Sequence, residues 1–188
     1  MHRRTFLAGL LAAAAPTVRA EAAVLSRLAE PNTHAVMRHA LAPGTGDPIE
    51  FRLRDCRTQR NLDARGRAQA RATGELFRAA GVRIDRVLTS QWCRCLDTAR
   101  LLDLGAVEES PPLNSFFTAR DRAGTQTAEV RAILAAAAPD QTFMMVTHFV
   151  NVRALTNETT QSGEVLIARF EQDRPAVVLG RVLLPAAV

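Results

Sequence analysis

The sequence predicts an α/β fold, on three observations. Short apolar runs and helical patterns alternate along the chain, as that class requires. Three of the apolar runs end abruptly in polar residues, at Arg38-His39, at Thr89-Ser90 and at Thr147-His148. About 168 residues follow a short apolar leader, a length that suits one domain with one core, and no internal repeat or low-complexity linker divides them.

Met1 to Ala20 reads as an export segment rather than as fold. Arg3-Arg4 precedes the uncharged run Thr5 to Pro16, and the small-residue exit Val18-Arg19-Ala20 closes it. The order Arg3-Arg4-Thr5-Phe6-Leu7 fits a twin-arginine signal, while the general secretory route needs only the same positive and apolar regions; by either route the expected location of the cleaved chain, residues 21–188, is the periplasm. The apolar stretch falls short of the roughly 20 residues that a spanning helix needs, and no stable membrane span is expected.

Thr33 to Arg38 reads as a buried strand. A helix follows from about Asp63 to Ala80, with Ala68, Ala72, Leu76 and Ala80 on one stripe and Gly81 as its stop signal. Arg86 to Thr89 makes the next strand, and Ser90 turns it into a helix carrying Arg94, with Ser90 as N-cap. Ser90, Arg94 and Thr98 recur every four residues, the spacing of one helical face. Thr127 to Ala138 reads as a helix with Thr127 as N-cap and Pro139 closing it. Gln141 to Thr147 is a strand leading to His148, and Asn151 is read as capping a short helix through Leu155. Glu164 to Phe170 and Ala176 to Leu184 read as two further strands joined by a polar turn.

In open α/β sheets ligands bind outside the carboxyl ends of the strands. His39, Ser90 and His148 all lie just past such ends, so Arg38, His39, Arg94 and His148 can converge on one anion. Arg38-His39-Ala40, the Arg94 helix, His148, and Leu62-Asp63-Ala64-Arg65-Gly66-Arg67-Ala68-Gln69-Ala70 resemble, in this order, the motifs of the histidine phosphatase superfamily. The resemblance runs from about residue 33 to 155. It departs at Ala40, where the family has a glycine that lets the backbone turn away from the histidine.

The resemblance implies a three-layer αβα, phosphoglycerate mutase-like fold with a mostly parallel central sheet and a minimal cap. It also implies catalysis through phosphohistidine, with His39 as nucleophile and Arg38, Arg94 and His148 around the phosphate. Neither metal nor organic cofactor is expected. The chemistry suits these residue types: a neutral imidazole can attack phosphorus, and planar guanidinium forks match phosphate oxygens. The other ring nitrogen of His39 should donate to a backbone carbonyl. Ser90 and Thr98 are expected to hold Arg94 rather than to react, and His34, farther back on the first strand, to be structural.

A carboxylic acid that protonates the leaving oxygen is worth roughly 10² to 10⁴ in rate. Mutase-like relatives place a glutamate after the third strand, where this chain has Asn114, and phytase-like relatives place an acid directly after the second histidine, where it has Phe149. The remaining candidates are Asp47, Glu50 and Asp55 on the loop after His39. Asp47, in the glycine-rich Pro43-Gly44-Thr45-Gly46-Asp47-Pro48, is the preferred one.

Charge bounds the partners. Every basic residue is Arg, and removal of Arg3, Arg4 and Arg19 with the leader lowers the net charge from +5 to +2. A nucleic-acid surface is therefore not expected; a phosphorylated small molecule or envelope glycolipid is, with the oligomeric state open. Three cysteines in an oxidising compartment suggest one bridge. Cys93 and Cys95 point to different sides of a helix, so Cys56 is expected to pair with one of them.

The leading expectation is an exported phosphomonoesterase acting on an envelope sugar phosphate, such as the heptose phosphate of the lipopolysaccharide core handled by a small exported branch that this chain resembles. The alternative is a catalytically weakened phosphate-binding protein of the same fold, suggested by Asn114. A protein phosphohistidine phosphatase would need less help from an acid, but its usual substrates lie in the cytoplasm. Mutase activity would likewise require a cytoplasmic metabolite.

Overall fold

The computed structural model describes residues 15–171 and 174–186. The first part of the expected export segment lies outside them. The chain is helical from Ala15 through the expected cleavage point, in α1 (Ala15–Leu25).

Among the described residues eleven α-helices and β-strands follow the alternating pattern of the sequence. After α1 come β1 (Thr33–Arg38), α2 (Ala64–Ala79), β2 (Arg86–Thr89), α3 (Cys93–Leu102) and β3 (Val107–Glu109). The second half holds α4 (Ala123–Ala135), β4 (Phe143–Thr147), α5 (Phe149–Thr156), β5 (Val165–Arg169) and β6 (Val177–Val182). One sheet of order β3-β2-β4-β1-β5-β6 runs through the molecule. The pairs β1–β4, β2–β4 and β2–β3 are parallel, while β5 and β6 continue the sheet antiparallel beyond β1.

Central strands read as unbroken apolar runs because both faces are covered. Every residue of β4 is buried. Successive side chains serve opposite cores: Ala35, Met37, Met144 and Val146 pack with Leu25, Phe77, Ala99 and Leu102, whereas Val36, Phe143 and Met145 pack with Val130, Leu134, Val152 and Leu155. The architecture is thus three-layered, with α1, α2 and α3 on one face and α4 and α5 on the other. Among the described residues no helix is long and apolar enough to cross a membrane.

Several local expectations are corrected. The buried face of α2 holds Gly66, Gln69, Ala70, Thr73, Gly74 and Phe77 rather than the stripe Ala68, Ala72, Leu76 and Ala80. The glycines decide this: a Cβ on Gly66 would lie 1.9 Å from the Leu41 carbonyl oxygen, and one on Gly74 1.9 Å from that of Leu102. The helix turns its narrow side inward, where backbone can approach backbone. Helix α4 begins four residues before Thr127, out of a 3-10 turn at Arg120–Arg122, and ends at Ala135, short of Pro139. Asn151 lies inside α5, whose N-cap is His148, and the N-cap of α3 is Trp92 rather than Ser90.

The strand ends that carry chemistry are tied in register. His39 N–H donates to Thr147 O at 2.9 Å, Ser90 N–H to Val146 O at 3.0 Å and Ser110 N–H to Thr89 O at 2.8 Å. His39, Ser90 and His148 therefore emerge side by side at one edge of the sheet.

Candidate active site

His39 leaves β1 beneath a tight connection. Its ring Nδ1 donates to the Ala40 carbonyl at 2.8 Å, since a carbonyl can only accept. Ala40 is fully buried and needs no left-handed backbone, so alanine fits where a glycine was the expected motif residue. The Ala40 N–H donates to Thr98 Oγ1 at 3.1 Å, and the Thr98 hydroxyl donates to Arg94 O at 2.7 Å. Thr98 thereby fastens the strand end to the helix that carries Arg94.

Arg94, in the first turn of α3, is 3% exposed and reaches across the site. Its Nε donates to His39 Nε2 at 3.1 Å, and its Nη2 lies 3.4 Å from His148 Nδ1. Nη1 and Nη2 also grip the two oxygens of Asp47, at 2.6 and 3.1 Å. The structure thus brings four of the five expected residues, His39, Arg94, His148 and Asp47, into one contact network. Arg38, the fifth, donates from Nη1 to Thr160 O at 3.0 Å, and its Nε is buried with no partner among the described residues.

His148 stands at the N-cap of α5, its ring centroid 5.6 Å from that of His39. Its Nε2 lies 2.8 Å from Ser90 Oγ, which itself donates to Asn114 Oδ1 at 3.2 Å. That amide oxygen is identified as the acceptor by the Gln91 N–H, which donates to it at 2.8 Å. With the Ser90 proton committed to Asn114, His148 carries its hydrogen on Nε2 and turns the Nδ1 lone pair towards Arg94.

Electrostatics agree with neutral rings. Burial, and then the charge of Arg94, push His39 and His148 well below the ordinary histidine range. Asp47 is held below the usual carboxylate range: burial opposes ionisation, but hydrogen bonds from Arg94 and Trp92 and the Arg94 charge outweigh it. Arg60, which sequence reasoning did not single out, adds a third guanidinium. It donates to Gly46 O at 2.9 Å and to Ala42 O, and its charge acts on both rings. No motif marks it; the fold of the loop puts it there. Three guanidinium groups, two neutral imidazoles and one carboxylate leave the site with an excess of positive charge, suited to a phosphate dianion.

The other acid candidates stay outside. Glu50 is exposed, and Asp55 caps the short turn Cys56–Thr58 while pairing with Arg57. Asn114 anchors Ser90 and the Gln91 N–H through its amide oxygen. His34 is buried away from the site, where its Nδ1 accepts from the Phe143 N–H at 3.3 Å. A groove of about 620 Å³ beside His34, Arg131 and Phe170 opens at the start of β1 and contains none of the strand-end residues.

The bridge is Cys56–Cys93. It ties the loop after β1 to the first residue of α3, next to Arg94. Cys95 is the free thiol among the described residues, buried 3.5 Å from His148 Nε2 and pushed up to about 12 by that burial. Trp92 closes one wall: its ring stacks on Phe51 at 4.9 Å, meets His148 edge-on at 5.3 Å, and its Nε1–H donates to Asp47 at 3.1 Å. No three His, Cys, Asp or Glu side chains among the described residues are grouped as a metal cluster.

The family model of the histidine phosphatase superfamily (branch 1) matches residues 35–116, which include His39 and Arg94 but end before His148. No curated protein sequence matches the chain. Among solved structures, the protein histidine phosphatase SixA in complex with tungstate superposes with a TM-score of 0.59 at 17% identity, over 80% of this chain and 96% of that one. A phosphoserine phosphatase variant from Entamoeba histolytica in complex with phosphoserine gives 0.58 at 10% identity, over 79% and 95%. YhfR from Bacillus stearothermophilus gives 0.58 at 15% identity, over 78% and 95%. At these identities the likeness is one of fold. With the motif order and the match over residues 35–116 beside it, the chain is similar to the histidine phosphatase superfamily in its motifs and in its fold.

Proposed function

We propose that this protein is an exported phosphomonoesterase that works through a phosphohistidine at His39, on a phosphate displayed by a small molecule or an envelope sugar such as a lipopolysaccharide heptose. The observation that carries the reading is the setting of His39: Nδ1 is spent on the Ala40 carbonyl, and the neutral Nε2 points its lone pair at the guanidinium of Arg94.

The Nε2 lone pair of His39 attacks phosphorus while the bond from phosphorus to the leaving oxygen breaks. Arg38, Arg94 and His148 hold the equatorial oxygens, with His148 taking up a proton at Nδ1 when the phosphate is bound. The leaving oxygen receives its proton from Asp47, the one carboxyl among the candidate acids that reaches the site. Water then attacks phosphorus, the P–N bond breaks, the pair returns to Nε2, and Asp47 recovers a proton from the water. The superposable SixA and phosphoserine phosphatase act, by their names, on a phosphoramidate and on an ester, and both kinds of bond suit this sequence of steps.

Export rests on the leader Met1 to Ala20 and on a disulfide beside the site, which an oxidising compartment preserves. The test is hydrolysis of an activated aryl phosphate beside a sugar phosphate by the mature protein and by His39→Ala. Cleavage of both by wild type alone supports the reading. Tight phosphate binding without turnover of either ester supports the second reading, a phosphate-binding protein of this fold, favoured by the neutral Asn114 where mutase-like relatives carry an acid.

A further inference from the structure

Every nitrogen of the Arg94 guanidinium is engaged within the protein. Nε donates to the nucleophile, Nη1 to Asp47 Oδ1, and Nη2 to Asp47 Oδ2 beside His148. A carboxylate gripped by two parallel N–H donors occupies a guanidinium in the manner of two phosphate oxygens. A substrate phosphate cannot take the same donors while Asp47 holds them, and Arg94 covers the very lone pair that must attack.

We propose that Asp47 is an internal anion that occupies the phosphate site, and that an incoming phosphate displaces it from Arg94, uncovering His39 and turning Asp47 into the proton donor. This rests on the phosphatase reading above and specifies how its site is controlled.

The loop is built to permit the exchange. Gly44 and Gly46, just before Asp47, have φ of 91° and 70°, and a side chain at Gly46 would meet nothing within 4 Å. Ile49 beyond it is 98% exposed, so the tip of the loop has no core to leave. Its far end is anchored by the Cys56–Cys93 bridge and by Gln59, whose Oε1 accepts from the Cys93 N–H at 2.9 Å. What Asp47 loses on displacement is Arg94, the indole N–H of Trp92 and the Arg60 N–H.

Charge drives the exchange in one direction. The groups bonded to Asp47 are Arg94 from α3, the backbone of Arg60 on its own loop and the Trp92 indole, with the protonated Cys95 thiol nearby; neutral His39 and His148 and the Arg38 guanidinium at the end of β1 stand around Arg94. Three guanidinium groups favour a dianion over a single carboxylate. Once the phosphate is seated, its charge repels an ionised Asp47 and favours the protonated form, which is the form that can donate. Binding of the substrate thus prepares the acid, and no second carboxyl is required at Asn114.

Trp92, the only tryptophan in the chain, reports on the exchange because its N–H is bonded to Asp47. The experiment titrates inorganic phosphate into the mature protein, into Asp47→Asn and into Asp47→Ser, following Trp92 emission and, by calorimetry, affinity. The expected result is a saturable emission change in wild type, and phosphate binding tightened at least about tenfold in both variants, because no internal competitor remains to be displaced. The variants should also retain phosphoenzyme formation from an activated aryl phosphate while losing turnover of a sugar phosphate. Phosphate binding of equal or lower affinity in both folded variants, or saturation of wild type without a change in Trp92, overturns the exchange while leaving the phosphatase reading standing. Absence of phosphate binding in all three proteins overturns both.

Discussion

Nε of Arg94 donates to Nε2 of His39 at 3.1 Å, so the lone pair suited to attack is held by the residue suited to grip the phosphate. The planar, always-charged fork of Arg94 serves His39, Asp47 and His148 at once, which an ammonium group cannot do.

Arg94→Lys should therefore behave almost as Arg94→Ala. Both should weaken vanadate binding by about two orders of magnitude, the scale of losing charge-assisted bonds to a buried anion. Vanadate titration of folded variants checks it, and wild-type affinity in either one would exclude Arg94 from the pocket.

Ser90→Ala should release His148 from its fixed tautomer. The hydroxyl bonded to His148 Nε2 at 2.8 Å is anchored in turn by Asn114. The expected loss is about tenfold in kcat with little change in thermal stability, the size of effect that an outer hydrogen-bond partner of a working histidine commonly has. The pH–rate profile separates a positioning role from a packing role: its basic limb should shift in Ser90→Ala and stay in place if Ser90 only packs.

Much of this site was legible in the chain and some of it was not. Arg38, His39, Arg94 and His148 were legible because each sits at or just past a strand end or on a four-residue helical spacing, and a parallel sheet brings such ends together whatever lies between. The pairing of Cys56 was narrowed to two partners by helix geometry, and the structure selects Cys93. Arg60 and Trp92 were not legible: Arg60 reaches the site through the path of the loop between β1 and α2, which has no periodic pattern to read, and Trp92, the N-cap of α3, meets that loop through its stack on Phe51 and its bond to Asp47. The inward face of α2 was misread for a related reason, since alanines at i and i+4 look like a core stripe, whereas here two glycines make the close contacts. The start of α4 was missed because a 3-10 turn at Arg120–Arg122 opens it without a side-chain cap.

The Cys56–Cys93 bridge closes a loop of 37 residues that includes α2 and β2. Loop-closure entropy makes such a link worth about 4 kcal/mol. Cys56→Ser should lower stability by that order in chemical denaturation. It should also weaken the Asp47 loop's hold on the site, read as a change in Trp92 emission below the unfolding transition. Unchanged stability and emission would remove the bridge from the account.

His34 carries a prediction for acid stability. Burial lowers it to about 4 from the ordinary 6.5, so the unfolded chain binds a proton that the folded one refuses. Above pH 6.5 both states are neutral and the group contributes nothing. Between pH 6.5 and 4 stability falls as the unfolded state protonates, by about 3 kcal/mol in total, and the slope flattens below. His39 and His148, buried and neutral, act in the same direction. Denaturant titrations at a series of pH values should show this fall, and His34→Gln should remove a share of it. An identical slope in the variant would mean that His34 is protonated in the fold.

In the proposed function phosphate passes through a covalent bond to His39. The most direct measurement is rapid acid-free quenching of the mature protein with a labelled activated aryl phosphate, followed by peptide mapping. A phosphoryl group that is labile to acid and stable to base, located on the peptide containing His39 and absent from His39→Ala, is the predicted result. Undiminished hydrolysis by a folded His39→Ala protein, or an acid-stable phosphoryl group on Ser90, would contradict it.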